Sequence, residues 1–210
     1  MDPKFWLDKW SSNQIGFHEN KVHNLLRAYW HSLGGEANDK VFVPLCGKSL
    51  DLLWLRERHN SVVGVELSEI AAISFFEEQG LNFTKTERGE YSIFSNDGIQ
   101  ILCGDIFKIP SSQFGIFDLV YDRASLVALS PSDRLQYRKL LDSITRKESR
   151  ILLITVDYDS KLISPPPHRL SDIQLRKIYA SNWKIASIDS QEADVKGTAG
   201  RENCYRIEKK

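Results

Sequence analysis

The sequence predicts an α/β protein: a doubly wound, mostly parallel sheet with helices on both faces, ending in an antiparallel pair. Three observations carry this. Five short segments are apolar nearly throughout instead of alternating, which marks strands covered on both faces. Helical patterns with their own start and stop signals lie between several of them. The last two strand-like segments have no helix between them, so they pair antiparallel.

In chain order, Val41 to Leu45 is a short β-rich run and Ser61 to Glu66 (SVVGVE) is the second. Ser68 then caps a helix running to about Gln79, with Ile73 and Phe76 on one face and Gly80 as its stop. Gln100 to Cys103 and Phe117 to Tyr121 are the third and fourth strands. Ser130 reads as an N-cap with Pro131 at the first helical position and Asp133 in the first turn. Tyr137, Leu140, Leu141 and Ile144 follow at i, i+3, i+4 and i+7, one apolar stripe. Ile151 to Val156 (ILLITV) is the fifth strand, and Ser171 opens a helix with Leu175, Ile178 and Tyr179 on one face. Trp183 to Ile188 and Asn203 to Glu208 complete a seven-stranded sheet joined by right-handed crossovers.

Composition narrows the function. The chain has 210 residues, is 41% apolar and holds five Trp, enough for one folded domain with a sizeable core. Ser164 to Pro167 is too short to be an interdomain spacer, so residues 1–210 read as one domain. Lys plus Arg and Asp plus Glu are 28 each. A neutral balance gives no electrostatic reason to expect nucleic acid or an anionic membrane as partner. No apolar run approaches the roughly 20 residues that span a bilayer. MDPKFWLDKW has charges inside its apolar stretch and does not read as a signal peptide. Cys46, Cys103 and Cys204 lie far apart, form no CxxC pair and no zinc spacing, and fit a reducing compartment. A cytoplasmic, metal-free enzyme acting as a monomer on a small molecule is the expectation.

In such sheets ligands sit at the carboxyl ends of the strands, where strand order reverses. After the first strand comes Pro44-Leu45-Cys46-Gly47-Lys48-Ser49. Gly47 permits a tight turn against a ligand. The string GKS invites a phosphate-loop reading, but Phe42 stands where that motif requires its first glycine. Glu66 ends the second strand, 19 residues beyond Gly47, where an acidic side chain accepts hydrogen bonds from the ribose hydroxyls of an adenosine. Gly104-Asp105-Ile106-Phe107 follows the third strand; Asp105 and Ile106 suit an adenine edge and face, and the plain alternative is an Asp that starts a turn. The fourth strand ends in Tyr121-Asp122-Arg123, where adjacent opposite charges lie at the sheet edge or pair. A mostly parallel sheet ending in an antiparallel pair, with these sites, is the layout of Rossmann-like class I methyltransferases.

FWLDKWSSNQIGFHE, VFVPLCGKSLDLLWL, VVGVELSE and FDLVYDRASLVAL, in that order and spacing, resemble the thiopurine S-methyltransferase family over nearly the whole chain. The resemblance implies S-adenosylmethionine-dependent methyl transfer to the sulfur of small aromatic or heterocyclic thiols; selenium or tellurium species are the softer-nucleophile alternative. It places Trp10 near the methionine end of the cofactor, Leu45 and Gly47 in the first loop, Glu66 on the ribose, Asp105 and Ile106 near the adenine, and Arg123 near the reacting end. Phe17 matches a position covering the substrate. A further basic residue belongs in the late loop, which offers both Lys196 and Arg201.

An aromatic face such as Trp10 stabilises a sulfonium cation, and the plain alternative is a core anchor of an N-terminal helix. Arg123 is the candidate to favour a thiolate or to bind an anionic heterocycle, and Asp122 either accepts a proton or holds Arg123 as an ion pair. His18 is a second candidate base, set against a structural hydrogen-bonding role. Residues 1–30 read as a helical lid, with Gly16 as its hinge.

Overall fold

The computed structural model describes residues 2–210 and joins nine strands into one sheet. These are β1 (Lys40–Val43), β2 (Ser61–Glu66), β3 (Thr84–Arg88), β4 (Tyr91–Asn96), β5 (Ile99–Cys103), β6 (Phe117–Arg123), β7 (Thr145–Tyr158), β8 (Trp183–Val195) and β9 (Thr198–Lys209). The helices are α1 (Pro3–Ser11), α2 (Asn24–Tyr29), α3 (Asp51–Arg56), α4 (Glu69–Glu78), α5 (Ser125–Ala128), α6 (Arg134–Ile144) and α7 (Asp172–Tyr179). Strand order is β3-β4-β5-β2-β1-β6-β7-β9-β8. The central five, from β5 to β7, are parallel, and antiparallel strands flank them on both sides.

The burial of alternate residues explains the unbroken apolar runs. In β1, Val41 and Val43 face one core and Phe42 faces the other. The first core packs Leu25 and Leu26 of α2, Leu52 and Leu55 of α3, and Phe75 and Phe76 of α4 against the sheet. The opposite core packs Tyr137, Leu141 and Ile144 of α6 and Leu175 and Tyr179 of α7. Both faces of the central strands are covered along most of their length, which leaves few positions for a polar residue to alternate.

Two of the three caps act where the sequence places them, and Ser130 does not cap its helix. The Ser68 hydroxyl accepts from Ala71 N–H at the start of α4, and Gly80 stands just beyond its end at φ +64°. Ser171 and Gln174 form a reciprocal capping box on α7.

Three expectations change. The sheet has nine strands, not seven, because β3 and β4 add an antiparallel hairpin beside β5. α6 begins at Arg134, not at Pro131: the Ser130 carbonyl accepts from Asp133 and Arg134 N–H, closing a turn ahead of the helix. Buried Arg134 then fixes that start by donating to the Leu126 and His168 carbonyls, both at 3.1 Å. Finally, β8 and β9 extend into a long hairpin whose tip is Lys196-Gly197.

Candidate active site

β2 and β5 lie on one side of β1, and β6 and β7 on the other, so strand order reverses between β1 and β6. The carboxyl ends of those two strands splay around a crevice. A cavity of about 570 Å³ opens there, a size that suits a nucleoside-type cofactor together with a small acceptor. Its floor is the loop after β1, Glu66 and the end of β6; the N-terminal aromatics form its roof, and the β8–β9 tip closes one side.

The loop after β1 is held in an unusual conformation. Leu45 has φ +45° and Gly47 φ +54°. The first costs a side-chain-bearing residue about 1–2 kcal/mol, and the second costs glycine little. Three hydrogen bonds hold the loop there. The Ser125 hydroxyl donates to the Pro44 carbonyl (2.7 Å), Cys46 N–H donates to the Val65 carbonyl (2.8 Å), and Gly47 N–H donates to Glu66 Oε2 (2.8 Å). A Cβ on Gly64 would stand 2.7 Å from Cys46 Sγ, so that glycine lets the loop lie on β2. A Cβ on Gly47 would stand 3.2 Å from the Trp10 ring, which packs directly over the turn.

Glu66 is buried, and its other oxygen accepts from Ser68 N–H at 2.8 Å. Burial raises its pKa, and the backbone amides oppose that shift. An ionised carboxylate has about four acceptor sites, so capacity remains on both oxygens beyond the two amides. Burial, with the Glu66 charge beside it, pushes the neighbouring Cys46 thiol well up, so this wall of the cavity is a neutral S–H.

At the end of β6, alternation separates the two adjacent charges. Tyr121 and Arg123 line the cavity. Asp122 does not: it is fully buried, and its carboxylate accepts from the Tyr137 hydroxyl (2.6 Å) and Leu126 N–H (3.3 Å). Burial pushes its pKa up to about 6. The structure thus corrects both readings of Asp122. It neither reaches the cavity as a base nor pairs with Arg123, whose guanidinium donates to Glu19 instead.

Asp105 starts a turn. Its Oδ1 accepts from Phe107 N–H (3.0 Å) and its carbonyl from Lys108 N–H (2.8 Å). Ile106 is 1% exposed in the core, and neither residue is among the cavity walls. In the late hairpin, Lys196 lines the cavity and donates to the Ser164 carbonyl at 3.3 Å. Arg201 turns the other way, donating to the Ser190 hydroxyl (2.8 Å) and carbonyl (2.7 Å). His18 lines the cavity, and burial followed by the Lys48 charge lowers its pKa.

The roof is a ladder of edge-to-face rings: Phe5–Trp6 at 5.2 Å, Trp6–Phe17 at 5.4 Å and Trp10–Phe17 at 5.6 Å. Trp10 is buried at its inner end and Phe17 is 37% exposed. The expected lid of residues 1–30 divides here. Its first part covers the cavity, whereas Leu25 and Leu26 of α2 belong to the sheet's core.

Sequence reasoning missed a buried polar chain beneath the roof. The Asp51 carboxylate accepts from Tyr121 hydroxyl and from His23 N–H, both at 2.9 Å. His23 Nε2 lies 3.3 Å from Glu202 Oε1 and 3.8 Å from Glu19 Oε1. Only the FHE string next to Phe17 hinted at Glu19. Among the described residues no three His, Cys, Asp or Glu side chains converge as a metal site.

A family model for thiopurine S-methyltransferase matches residues 1–210. The chain belongs to the thiopurine S-methyltransferase family. A family relative from Vibrio parahaemolyticus, named thiopurine S-methyltransferase, is 43% identical over 194 residues, 92% of this chain and 88% of the relative. One of the same name from Marinobacter nauticus is 40% identical over 188 residues, 90% and 86% of the two chains. Among solved structures, a 1,6-didemethyltoxoflavin-N1-methyltransferase from Burkholderia thailandensis, holding S-adenosylhomocysteine, superposes with TM-score 0.68 at 14% identity. That match covers 99% of this chain and 86% of the other. A magnesium protoporphyrin IX methyltransferase from Synechocystis, also with S-adenosylhomocysteine, gives 0.65 at 14% identity over all of both chains. At that identity the likeness establishes the fold, the Rossmann-like α/β sheet of methyltransferases.

Proposed function

We propose that this chain transfers the methyl group of S-adenosylmethionine to the sulfur of small aromatic or heterocyclic thiols. The observation that carries the reading is the Gly47–Glu66 pair at the strand-order reversal, roofed by Trp10, within a chain of the thiopurine S-methyltransferase family. The cavity's donors and acceptors fit the cofactor. Glu66 retains acceptor capacity for ribose hydroxyls, and the turn at Gly47 brings backbone close to the ligand. Trp10 offers an aromatic face to the sulfonium. Asp105 and Ile106 would meet the adenine from beyond the present walls, so their assignment rests on the family motif alone.

When bound, S-adenosylmethionine supplies an electrophilic methyl carbon on a sulfonium, open to in-line displacement by sulfur. The chain's part is to align the acceptor and exclude water, and positioning of this kind supplies about 7–11 kcal/mol. Arg123 and Lys196 provide the cations that orient an acceptor, with Phe17 as its apolar cover. An aromatic thiol is acidic enough to need little general-base assistance. That agrees with Asp122 lying out of reach. His18, held neutral near pH 7 by burial and Lys48, is the cavity imidazole able to receive a proton. We read residues 1–210 as one catalytic unit that acts alone on a small molecule, with the family match favouring thiols over selenium or tellurium species.

Calorimetric titration with S-adenosylmethionine, followed by turnover of an aromatic-thiol panel, tests the reading. Micromolar binding and methylated thiol are expected. No heat of binding at any cofactor concentration would refute the proposal.

A further inference from the structure

Of the two cations at the acceptor end, Arg123 and Lys196, Arg123 already has an anion seated on its guanidinium. Glu19, from the segment that connects the roof to α2, ion-pairs with Arg123. The Glu19 side chain is 32% exposed and lines the same cavity, while that of Arg123 is 17% exposed. The other carboxylates of the inner cavity are engaged elsewhere. Glu66 holds two amides, Asp51 holds Tyr121 and the His23 amide, Glu202 faces His23 and Gln191, and Asp194 holds the Gly197 amide. Lys48 is likewise matched, by Glu78 at 2.7 Å. Glu19 thus combines three properties: it lines the cavity, it is partly open, and it rests on the acceptor-end cation.

We infer that Glu19 is a specificity-determining residue: by occupying the anion seat on Arg123 it makes the site discriminate between acceptors by charge. The inference rests on Arg123 facing the acceptor. Its logic is competition within a site of low effective dielectric. An acceptor whose ring bears no carboxylate enters beside an ion pair that stays intact. An acceptor carrying a carboxylate gains Arg123 only by displacing Glu19, or it sits close to a like charge; either path is unfavourable. Removing the Glu19 charge while keeping its shape frees the guanidinium, which then offers a planar fork to any acceptor carboxylate. Glu19 also stands 3.8 Å from His23, whose ring faces Glu202 of β9. Displacing it therefore disturbs the contact between roof and hairpin as well.

The test uses a matched pair of acceptors, 4-mercaptobenzoate and 4-mercaptobenzamide, which share a thiol and a shape and differ in one charge. For the wild type and Glu19→Gln, kcat/KM is measured for both. Glu19→Gln is expected to raise the benzoate-to-benzamide ratio about tenfold. A merely structural role for Glu19 would lower both acceptors alike and leave the ratio unchanged, which overturns the inference. Glu19→Asp, which keeps the charge, should restore the wild-type ratio. Binding of the same two thiols to protein saturated with S-adenosylhomocysteine, read by quenching of Trp6 and Trp10, repeats the comparison without turnover. If the wild type turns over thiols but the ratio does not move in either readout, the charge gate alone is wrong. If no thiol is methylated and neither binds, the acceptor reading of Arg123 is wrong, and the inference goes with it.

Discussion

Glu66 shows how one side chain can organise a site before any ligand arrives. Its two oxygens tie the loop after β1 to the start of α4 through Gly47 and Ser68 N–H, so the carboxylate proposed for the ribose and the turn proposed for the cofactor are a single hydrogen-bonded unit. Glu66→Gln leaves one of those amides facing an NH₂ group. Hydrogen bonds to charged groups are worth about 1.5–3 kcal/mol, so calorimetry should find S-adenosylmethionine binding weakened about 10- to 100-fold. Asp122 gives a different kind of prediction. Its pKa rises from 3.8 in the reference state to about 6 when folded, chiefly through burial. The folded state therefore holds the proton more tightly, and stability from this group is full below about pH 4 and is lost as pH rises through 6. The span corresponds to about 3 kcal/mol as an order of magnitude. Urea unfolding of Asp122→Asn beside wild type from pH 4 to pH 8 should show the variant gaining relative stability across that window. Thiol methylation should persist in the variant, and its loss would restore Asp122 as the base. These residues also mark what the sequence can display. The interval from Gly47 to Glu66 is legible because it spans one crossover unit with a strand end on each side. The separation of Asp122 from Arg123 was missed because the apolar run ends at Tyr121, whereas the strand continues to Arg123 and turns the two charges to opposite faces. Glu19 and Asp51 were hidden because their partners lie 104 and 70 residues away in the chain.

Elements that bury both faces declare themselves in sequence, and those that do not stay silent. β1, β2, β5, β6 and β7 are read from their apolar runs. α4 and α7 are read from their caps and stripes. β3 is exposed at all five positions, TKTER, and carries charge along the sheet edge, which protects the edge from pairing but leaves no apolar signal. α1 is a surface helix with one buried residue, Trp10, which sits on Gly47 instead of in the core. Its hold on the molecule is a roof of four rings over the cavity, where α2 is anchored by two fully packed leucines. Hydrogen exchange should therefore find the amides of residues 5–17 fast in the free protein and slowed on adding S-adenosylmethionine, while those of residues 25–30 are slow in both states. Equal protection of the two stretches without ligand would mean that the N-terminal segment is not a lid. Gly47→Ala probes the same contact from below. It places a Cβ at φ +54° and 3.2 Å from Trp10. The backbone term costs about 1–2 kcal/mol of stability. The displaced ring should weaken cofactor binding further, so affinity falls by more than the loss in Tm alone implies.

At the scale of the whole molecule, the site joins parts of the chain that share no local structure: the N-terminal roof, the ends of the central strands, and the tip of the C-terminal hairpin. The sheet supplies the floor by topology, since reversing strand order between β1 and β6 opens a crevice whatever the side chains are. The roof and the hairpin then decide what the crevice holds. A ligand touching all three stabilises the folded state as a unit, by RT ln(1 + [L]/Kd), or about 2.7 kcal/mol at a concentration of 100 Kd. For a chain of 210 residues each kcal/mol moves Tm by about 2–4 °C, so S-adenosylmethionine at that concentration should raise Tm by about 5–11 °C. The size of the shift also reports the Glu66 contact. If Glu66→Gln weakens binding 100-fold, the same cofactor concentration equals one Kd, and the stabilisation drops to about 0.4 kcal/mol, a shift of about 1 °C. A wild-type shift that survives intact in Glu66→Gln would place the cofactor's ribose elsewhere in the crevice. A shift abolished in that variant, with the unliganded Tm unchanged, would assign the lost stability to binding and not to a damaged fold.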